Sequence, residues 1–162
     1  MKRIIPFSLF LLVIPFLFLT CNLTEEGGGG DFIDQTLQGT IAGSSWTFAA
    51  GVAEISPFDE TELAFDLYHI EAAGTPCDFG AFSATQIVIL FSVPNEVGLY
   101  NLGLDQSVTI YDGTTNYIVT TGKLEILTID TTTNMQVTGR LVAEYDSSYT
   151  VNGNFSVTYC NN

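Results

Sequence analysis

Beyond residue 36 the chain never holds a helical period. Gly, Pro, Asn and Asp interrupt it about every 8–12 residues, between runs rich in Val, Ile, Thr, Tyr and Phe. Helices repeat their apolar positions every 3.6 residues and strands every second one, so such punctuation leaves only short extended segments. Glu62 to Ala72 is the clearest of these. Leu63, Phe65, Leu67 and His69 fall on one side, and Glu62, Ala64, Asp66, Tyr68 and Ile70 on the other. The run Gln86-Ile87-Val88-Ile89-Leu90-Phe91-Ser92 is instead continuously apolar in its middle, which predicts a central strand covered on both faces.

The remaining segments fit the same scheme. Thr36 to Ala42 and Ser45 to Ala50 read as a hairpin about Gly43-Ser44, with Trp46 and Phe48 two residues apart on one face and Trp46 in the core. Val97 to Leu102 is extended. Ser107 to Tyr111 pairs with Tyr117 to Thr121 across Asp112-Gly113, a dipeptide that tolerates the positive φ of a tight turn. Leu124 to Ile129 stops at the polar turn Asp130 to Asn134, after which Val137 to Tyr145 and Tyr149 to Cys160 complete the pattern. There are no heptads and no repeat of about 20–50 residues. The expected fold is all-β, an antiparallel β-sandwich over residues 36–162, with an up-and-down or lipocalin-like β-barrel as the alternative.

The first residues have a different composition. Lys2 and Arg3 precede an apolar run from Ile4 to Leu19, and Thr20-Cys21 follows. A transmembrane helix needs about 20 apolar residues, and this run is shorter and broken by Pro6 and Pro15, so it reads as an export signal over residues 1–20. Leu17-Phe18-Leu19-Thr20-Cys21 resembles a bacterial lipoprotein box, although Phe18 and Thr20 depart from its commonest form. That resemblance implies cleavage before Cys21 and acylation of the cysteine, which makes the membrane a partner through the lipid. Residues 21–35, acidic at Glu25 and Glu26 and glycine-only from Gly27 to Gly30, read as a flexible tether. Removing residues 1–20 from the 162 leaves 142, the size of one ordinary domain.

Loss of Lys2 and Arg3 takes the formal charge from −14 to −16 and leaves Lys123 and Arg140 as the only basic residues. Phosphate backbones are bound by basic residues that displace counterions, so a nucleic-acid partner is excluded. If Cys21 carries lipid, Cys77 and Cys160 remain as an even pair in an exported chain, where thiols oxidise. Closing a loop of about 84 residues between them would stabilise a fold by roughly 4–5 kcal/mol in the chain-entropy account. Two cysteines and one histidine fall short of a zinc ligand set.

Catalytic patterns are mostly missing. His69 is the only histidine, and its register with Leu63, Phe65 and Leu67 makes it a packing or strand-end residue. Neither a nucleophile elbow nor a phosphate loop occurs. Two carboxylates suffice for glycoside hydrolysis, but no motif picks a pair out of eighteen acids. Asp59, Glu60 and Glu62, and separately Asp112 and Asn116, are oxygen-rich clusters without the spacing of a calcium loop, so they read as solvated turns. Tyr68, Tyr111 and Tyr117 are candidates for a stacking surface that a sugar would use. No catalytic residue, metal site or cofactor is expected.

Several segments carry a wider resemblance: Gly39-Thr40-Ile41-Ala42-Gly43-Ser44-Ser45-Trp46, Val97-Gly98-Leu99-Tyr100-Asn101-Leu102, Gly122-Lys123-Leu124-Glu125-Ile126-Leu127 and Val151-Asn152-Gly153-Asn154-Phe155-Ser156-Val157. With the lipoprotein box they make the chain similar to small secreted lipoproteins of Bacteroidetes. The resemblance implies an outer-membrane lipoprotein with a β-sandwich-like domain. Glu25 and Glu26 are similar to the acidic signals that send such proteins to the cell surface. The expected role is a non-enzymatic binding or structural component, with a surface glycan or an envelope protein as partner. A glycan-binding module or a polysaccharide hydrolase is the alternative.

Overall fold

The computed structural model describes residues 30–78, 80–82 and 86–161. The signal, Cys21 and the tether up to residue 29 lie outside the described residues. The described chain is all-β and contains no helix. Its strands are β1 Gln38–Ile41, β2 Ser44–Thr47, β3 Ala50–Ile55, β4 Glu62–Tyr68, β5 Val88–Pro94, β6 Gly98–Asn101, β7 Val108–Tyr111, β8 Asn116–Val119, β9 Gly122–Asp130, β10 Gln136–Asp146 and β11 Tyr149–Cys160.

All eleven belong to one sheet, in the order β6-β9-β10-β11-β3-β4-β5-β7-β8, with β1 and β2 branching from β11. Two arms are antiparallel throughout, and they join where β11 runs parallel to β3, through Thr158↔Val52 to Cys160↔Glu54. The sheet is therefore mixed, which corrects the expectation of antiparallel pairing alone. Sequential hairpins make antiparallel neighbours, but β3 and β11 are brought together from opposite ends of the domain, so no hairpin sets their direction. The first half of β11 pairs with β1 instead, at Gln38↔Asn152 to Thr40↔Thr150.

The sheet curls into a half-barrel around its apolar face. On β4, Leu63, Phe65 and Leu67 are buried while Ala64, Asp66 and Tyr68 on the other side are half-buried, as the alternation predicts. Phe65 stacks on Phe91 of β5 with centroids 4.7 Å apart, and Phe155 of β11 meets both edge-on at 6.1 and 6.0 Å. Each such pair stabilises by about 0.5–1.5 kcal/mol beyond the area it buries. At the far end of the curl, Tyr117 of β8 lies 4.1 Å from Tyr149 and 5.4 Å from Tyr145, so the β7–β8 edge returns to the β10–β11 hairpin.

Two further expectations change. β5 is not the central strand: it lies between β4 and β7, burying Ile89, Phe91 and Val93 but leaving Leu90 and Ser92 half-buried on the other face. Continuous apolarity thus marks a strand with one buried and one partly shielded face. The strand at the middle of the order is β3, whose Ala-Gly-Val-Ala-Glu-Ile sequence has little strand character. Its small residues answer to crowding. A Cβ at Gly51 would stand 2.6 Å from the Asp66 carbonyl oxygen and 2.7 Å from Val157 Cγ1. The first hairpin turns at Ala42-Gly43, one residue earlier than expected, with φ of 52° and 73°. Positive φ at both central residues gives the turn the twist of the flanking strands.

Candidate functional site

The described residues of the connection from β4 to β5, 69–78, 80–82 and 86–87, include a stretch that folds back over the outer face of β3 and β4. Three contacts hold it. Cys77 and Cys160 form a disulfide-distance pair with Cα atoms 5.5 Å apart. Phe82 lies flat on Tyr68, with centroids 3.9 Å apart and planes within 5°. The Ala73 amide donates to the Ala81 carbonyl at 2.9 Å, closing the loop on itself.

Between this loop and the sheet is a groove of about 660 Å³ lined by Val52, Glu54, Asp66, Tyr68, Asp78 and Phe82, with Pro76 and the Cys77–Cys160 pair in its wall. Strand alternation places the floor. Val52 and Glu54 on β3, and Ala64, Asp66 and Tyr68 on β4, all face away from the core, and the register sets Asp66 opposite Val52 and Glu54 opposite Ala64. Asp66 and Glu54 are thus diagonal neighbours on one surface.

The Tyr68 hydroxyl donates to Asp66 Oδ2 at 3.2 Å. Burial raises the Asp66 carboxyl above its ordinary value; the Tyr68 hydrogen bond lowers it, and the charge of Glu54 raises it further. Tyr68 is itself raised, first by burial and then by the Asp66 charge and the bond to Asp66. A carboxylate in a cleft, shifted by desolvation and a like charge, is the arrangement that marks binding and catalytic sites.

The residues singled out in the sequence distribute unevenly. Tyr68 is in the groove, but its ring face is covered by Phe82, so it is no free platform. Tyr111 and Tyr117 lie elsewhere, at the β7–β8 hairpin. There the Tyr111 hydroxyl donates to the Gly113 carbonyl at 2.7 Å, and Tyr117 stacks on Tyr149. Asp112 holds its own turn, accepting from the Thr114 and Thr115 amides at 2.9 Å and from the Tyr149 hydroxyl at 3.1 Å. Those donors hold it at about 2, the Thr114 hydroxyl bond being the largest contribution. Asp59 likewise accepts from the Thr61 hydroxyl at 2.6 Å and the Thr61 amide at 2.9 Å. Among the described residues no group of three or more His, Cys, Asp or Glu is placed to hold a metal ion. His69 follows the end of β4, and its Nδ1 is buried without a hydrogen-bond partner among the described residues, as is Trp46 Nε1.

Glu54 and Phe82 were not singled out from the sequence. No local signal distinguishes them, because the groove exists only where a distant loop is pinned to the end of β11.

The two basic residues that follow Arg3 do not line the groove. Lys123 and Arg140 lie 5.0 and 4.3 Å from the Phe32 ring centroid. Lys123 also pairs with Asp31 at 3.6 Å, and Arg140 with Glu125. Asn152 Oδ1 accepts from the Ile33 amide, and Asn154 Nδ2 donates to Asp34 Oδ1, so residues 31–34 are latched to the outer face of β9, β10 and β11. No family model, curated protein or solved structure matches the chain.

Proposed function

We propose that this chain is a lipid-anchored extracytoplasmic binding module that holds a glycan in the groove between the loop wall at Pro76–Asp78 and Gly80–Phe82 and the outer face of β3–β4, without transforming it. The groove itself carries the reading. It is concave, its loop wall is pinned at Cys77 and Cys160, and it combines an aromatic pair with polar groups, the composition of a small-ligand site. A wall fixed in advance lowers the ordering cost of binding. The anchor is Cys21, following the signal of residues 1–20, and the location is the outer membrane. The acidic tether at Glu25 and Glu26 supports exposure at the cell surface. In this reading the two arms face each other across Phe65, Phe91 and Phe155 as the layers of a sandwich.

Two experiments test it. Cys21→Ala should move the protein from the membrane fraction to the soluble fraction; retention in the membrane would overturn the anchor. Thermal unfolding of the full chain in detergent, against a panel of glycans, should show a shift with one class. At about 100 times its dissociation constant a ligand adds about 2.7 kcal/mol of stability. A flat response across the panel would turn the search to envelope proteins.

One observation favours hydrolysis as a second reading: Asp66 and Glu54 are diagonal neighbours on the groove floor, and burial raises the Asp66 carboxyl in the direction a general acid needs. New reducing ends from a bound glycan, abolished by Asp66→Asn, would establish it.

A further inference from the structure

Nine large hydrophobic side chains are exposed among the described residues, and four of them, Ile33, Val97, Leu99 and Leu127, gather at one end of the sheet. There β6 closes the strand order against β9, and the register sets Leu99 opposite Glu125. Leu124 and Ile126 point into the core, so Leu99, Glu125 and Leu127 share the outer face. Val97 precedes Leu99 by two residues. Ile33 reaches the same surface at a hollow of about 410 Å³ that it lines with Phe32, Leu127 and Arg140. Edge strands are ordinarily guarded by charge or proline, and the Gly-Leu-Tyr-Asn of β6 has neither.

Two features say what covers this face. The first is where the chain enters the domain. Residues 31–34 are latched here, and Gly30 stands nine residues after Cys21, a length that spans at most about 30 Å fully extended. A lipid on Cys21 therefore keeps a bilayer within that distance of Gly30, and a contact made within such a tether needs little affinity of its own. The second feature is charge. Lys123 and Arg140 are the basic residues of the domain, and both stand here, paired with Asp31 and Glu125. The rest of the domain carries carboxylates but no lysine or arginine. Phospholipid phosphates repel carboxylates, so a headgroup layer meets least repulsion where the two cations are.

Resting on the lipid-anchor reading above, we infer that Ile33, Val97, Leu99 and Leu127 dock against the phospholipid surface that holds the acylated Cys21, with Lys123 and Arg140 at the level of the phosphates. Amphipathic elements bury such a face about 5–10 Å into the boundary between headgroups and acyl chains, while lysine and arginine stems reach back to the phosphates. The free edge of β6 limits the depth, because open sheet edges are not tolerated in hydrocarbon. The lipid supplies attachment and the face supplies orientation. None of the four side chains lines the groove of β3 and β4, so the docked domain keeps it open.

The test uses the full chain as the cell makes it, reconstituted in vesicles of phosphatidylethanolamine and phosphatidylglycerol, with or without acyl chains brominated just below the headgroup. Indoles are introduced by Leu99→Trp and Leu127→Trp, and by Ile118→Trp as a control on the β8 edge of the other arm. All three positions are exposed, and the native Trp46 is buried. Brominated lipid should lower the emission gained from Leu99→Trp and Leu127→Trp by about half or more, as for an indole at the headgroup boundary. Emission from Ile118→Trp and from the parent should stay unchanged. The mass of the N-terminal peptide reports separately whether Cys21 carries lipid. Acylated protein in which neither Leu99→Trp nor Leu127→Trp is quenched would overturn the inference and keep the anchor. Equal quenching of Ile118→Trp would overturn the choice of face. Unquenched emission that moves to the blue as protein concentration rises would give the face to a second copy instead. An unacylated Cys21 would overturn both the docking and the anchor.

Discussion

At the scale of single residues, aspartates do most of the local work. Asp130 accepts from the Thr132, Thr133 and Asn134 amides at 3.0, 2.8 and 3.0 Å, and these bonds hold its carboxyl at about 2. Asp112 is held equally low by its own turn. A carboxyl depressed in the fold contributes stability that is present above its unfolded value, about 3.9, and disappears as the pH falls through its folded value. The urea midpoint should therefore drop between about pH 4 and pH 2, and Asp112→Asn or Asp130→Asn should flatten that drop. Asp66 has the opposite sign. Its carboxyl is raised, so its ionised form opposes folding and its contribution is lost as the pH rises through the folded value. Asp66→Asn should thus raise the urea midpoint at neutral pH while weakening ligand binding; a lowered midpoint would mean that the Tyr68 hydrogen bond outweighs the burial. Gly153 is a residue that backbone geometry requires. With φ at 144° and a Cβ that would stand 2.7 Å from Leu37 Cα, Gly153→Ala should cost about 2 kcal/mol or more, read as a loss in urea stability.

At the scale of elements, β4 and β11 organise the molecule. β4 sets Phe65 into the core and Asp66 and Tyr68 into the groove on consecutive pleats. Phe65→Ala removes the ring that both Phe91 and Phe155 touch and should destabilise by about 3–5 kcal/mol, visible in the urea midpoint. β11 joins the arms, carries the β1–β2 branch and anchors the loop through Cys160. Reduction of the Cys77–Cys160 bond should cost about 2–5 kcal/mol. Alkylating the unfolded, unreduced protein should label neither cysteine, and labelling of both would remove the staple from the account.

At the scale of the whole molecule, net charge and its placement set how stability answers to salt. Eighteen acids against four basic residues give the chain −14, and both basic residues of the domain are spent latching residues 31–34 to the sheet. The other charged side chains of the domain are carboxylates, and self-repulsion among them is screened by salt within about 10 Å at 0.1 M. Raising sodium chloride from about 20 to 500 mM should raise the melting temperature by a few degrees; a fall would mean that the Lys123–Asp31 and Arg140–Glu125 pairs outweigh the repulsion.

The sequence by itself determined what is local. Alternation on Glu62 to Tyr68 assigned the two faces of β4 correctly, and the punctuation by Gly, Asn and Asp located most strands and turns, because a pleat of period two and a turn of positive φ are read from neighbouring residues. The even pair of cysteines was legible for a similar reason, being arithmetic rather than geometry. Tertiary structure alone decided the rest. Nothing near Ala50 to Ile55 announces a central strand, since its small residues make sense only once Val157 and Leu67 crowd Gly51. The parallel pairing of β3 with β11 joins residues more than a hundred positions apart. Tyr68 was visible as an outward aromatic, but its cover by Phe82 and its meeting with Glu54 and Asp66 were not. A groove made by a loop folding back onto a strand is a long-range contact, and no local preference in the chain encodes it.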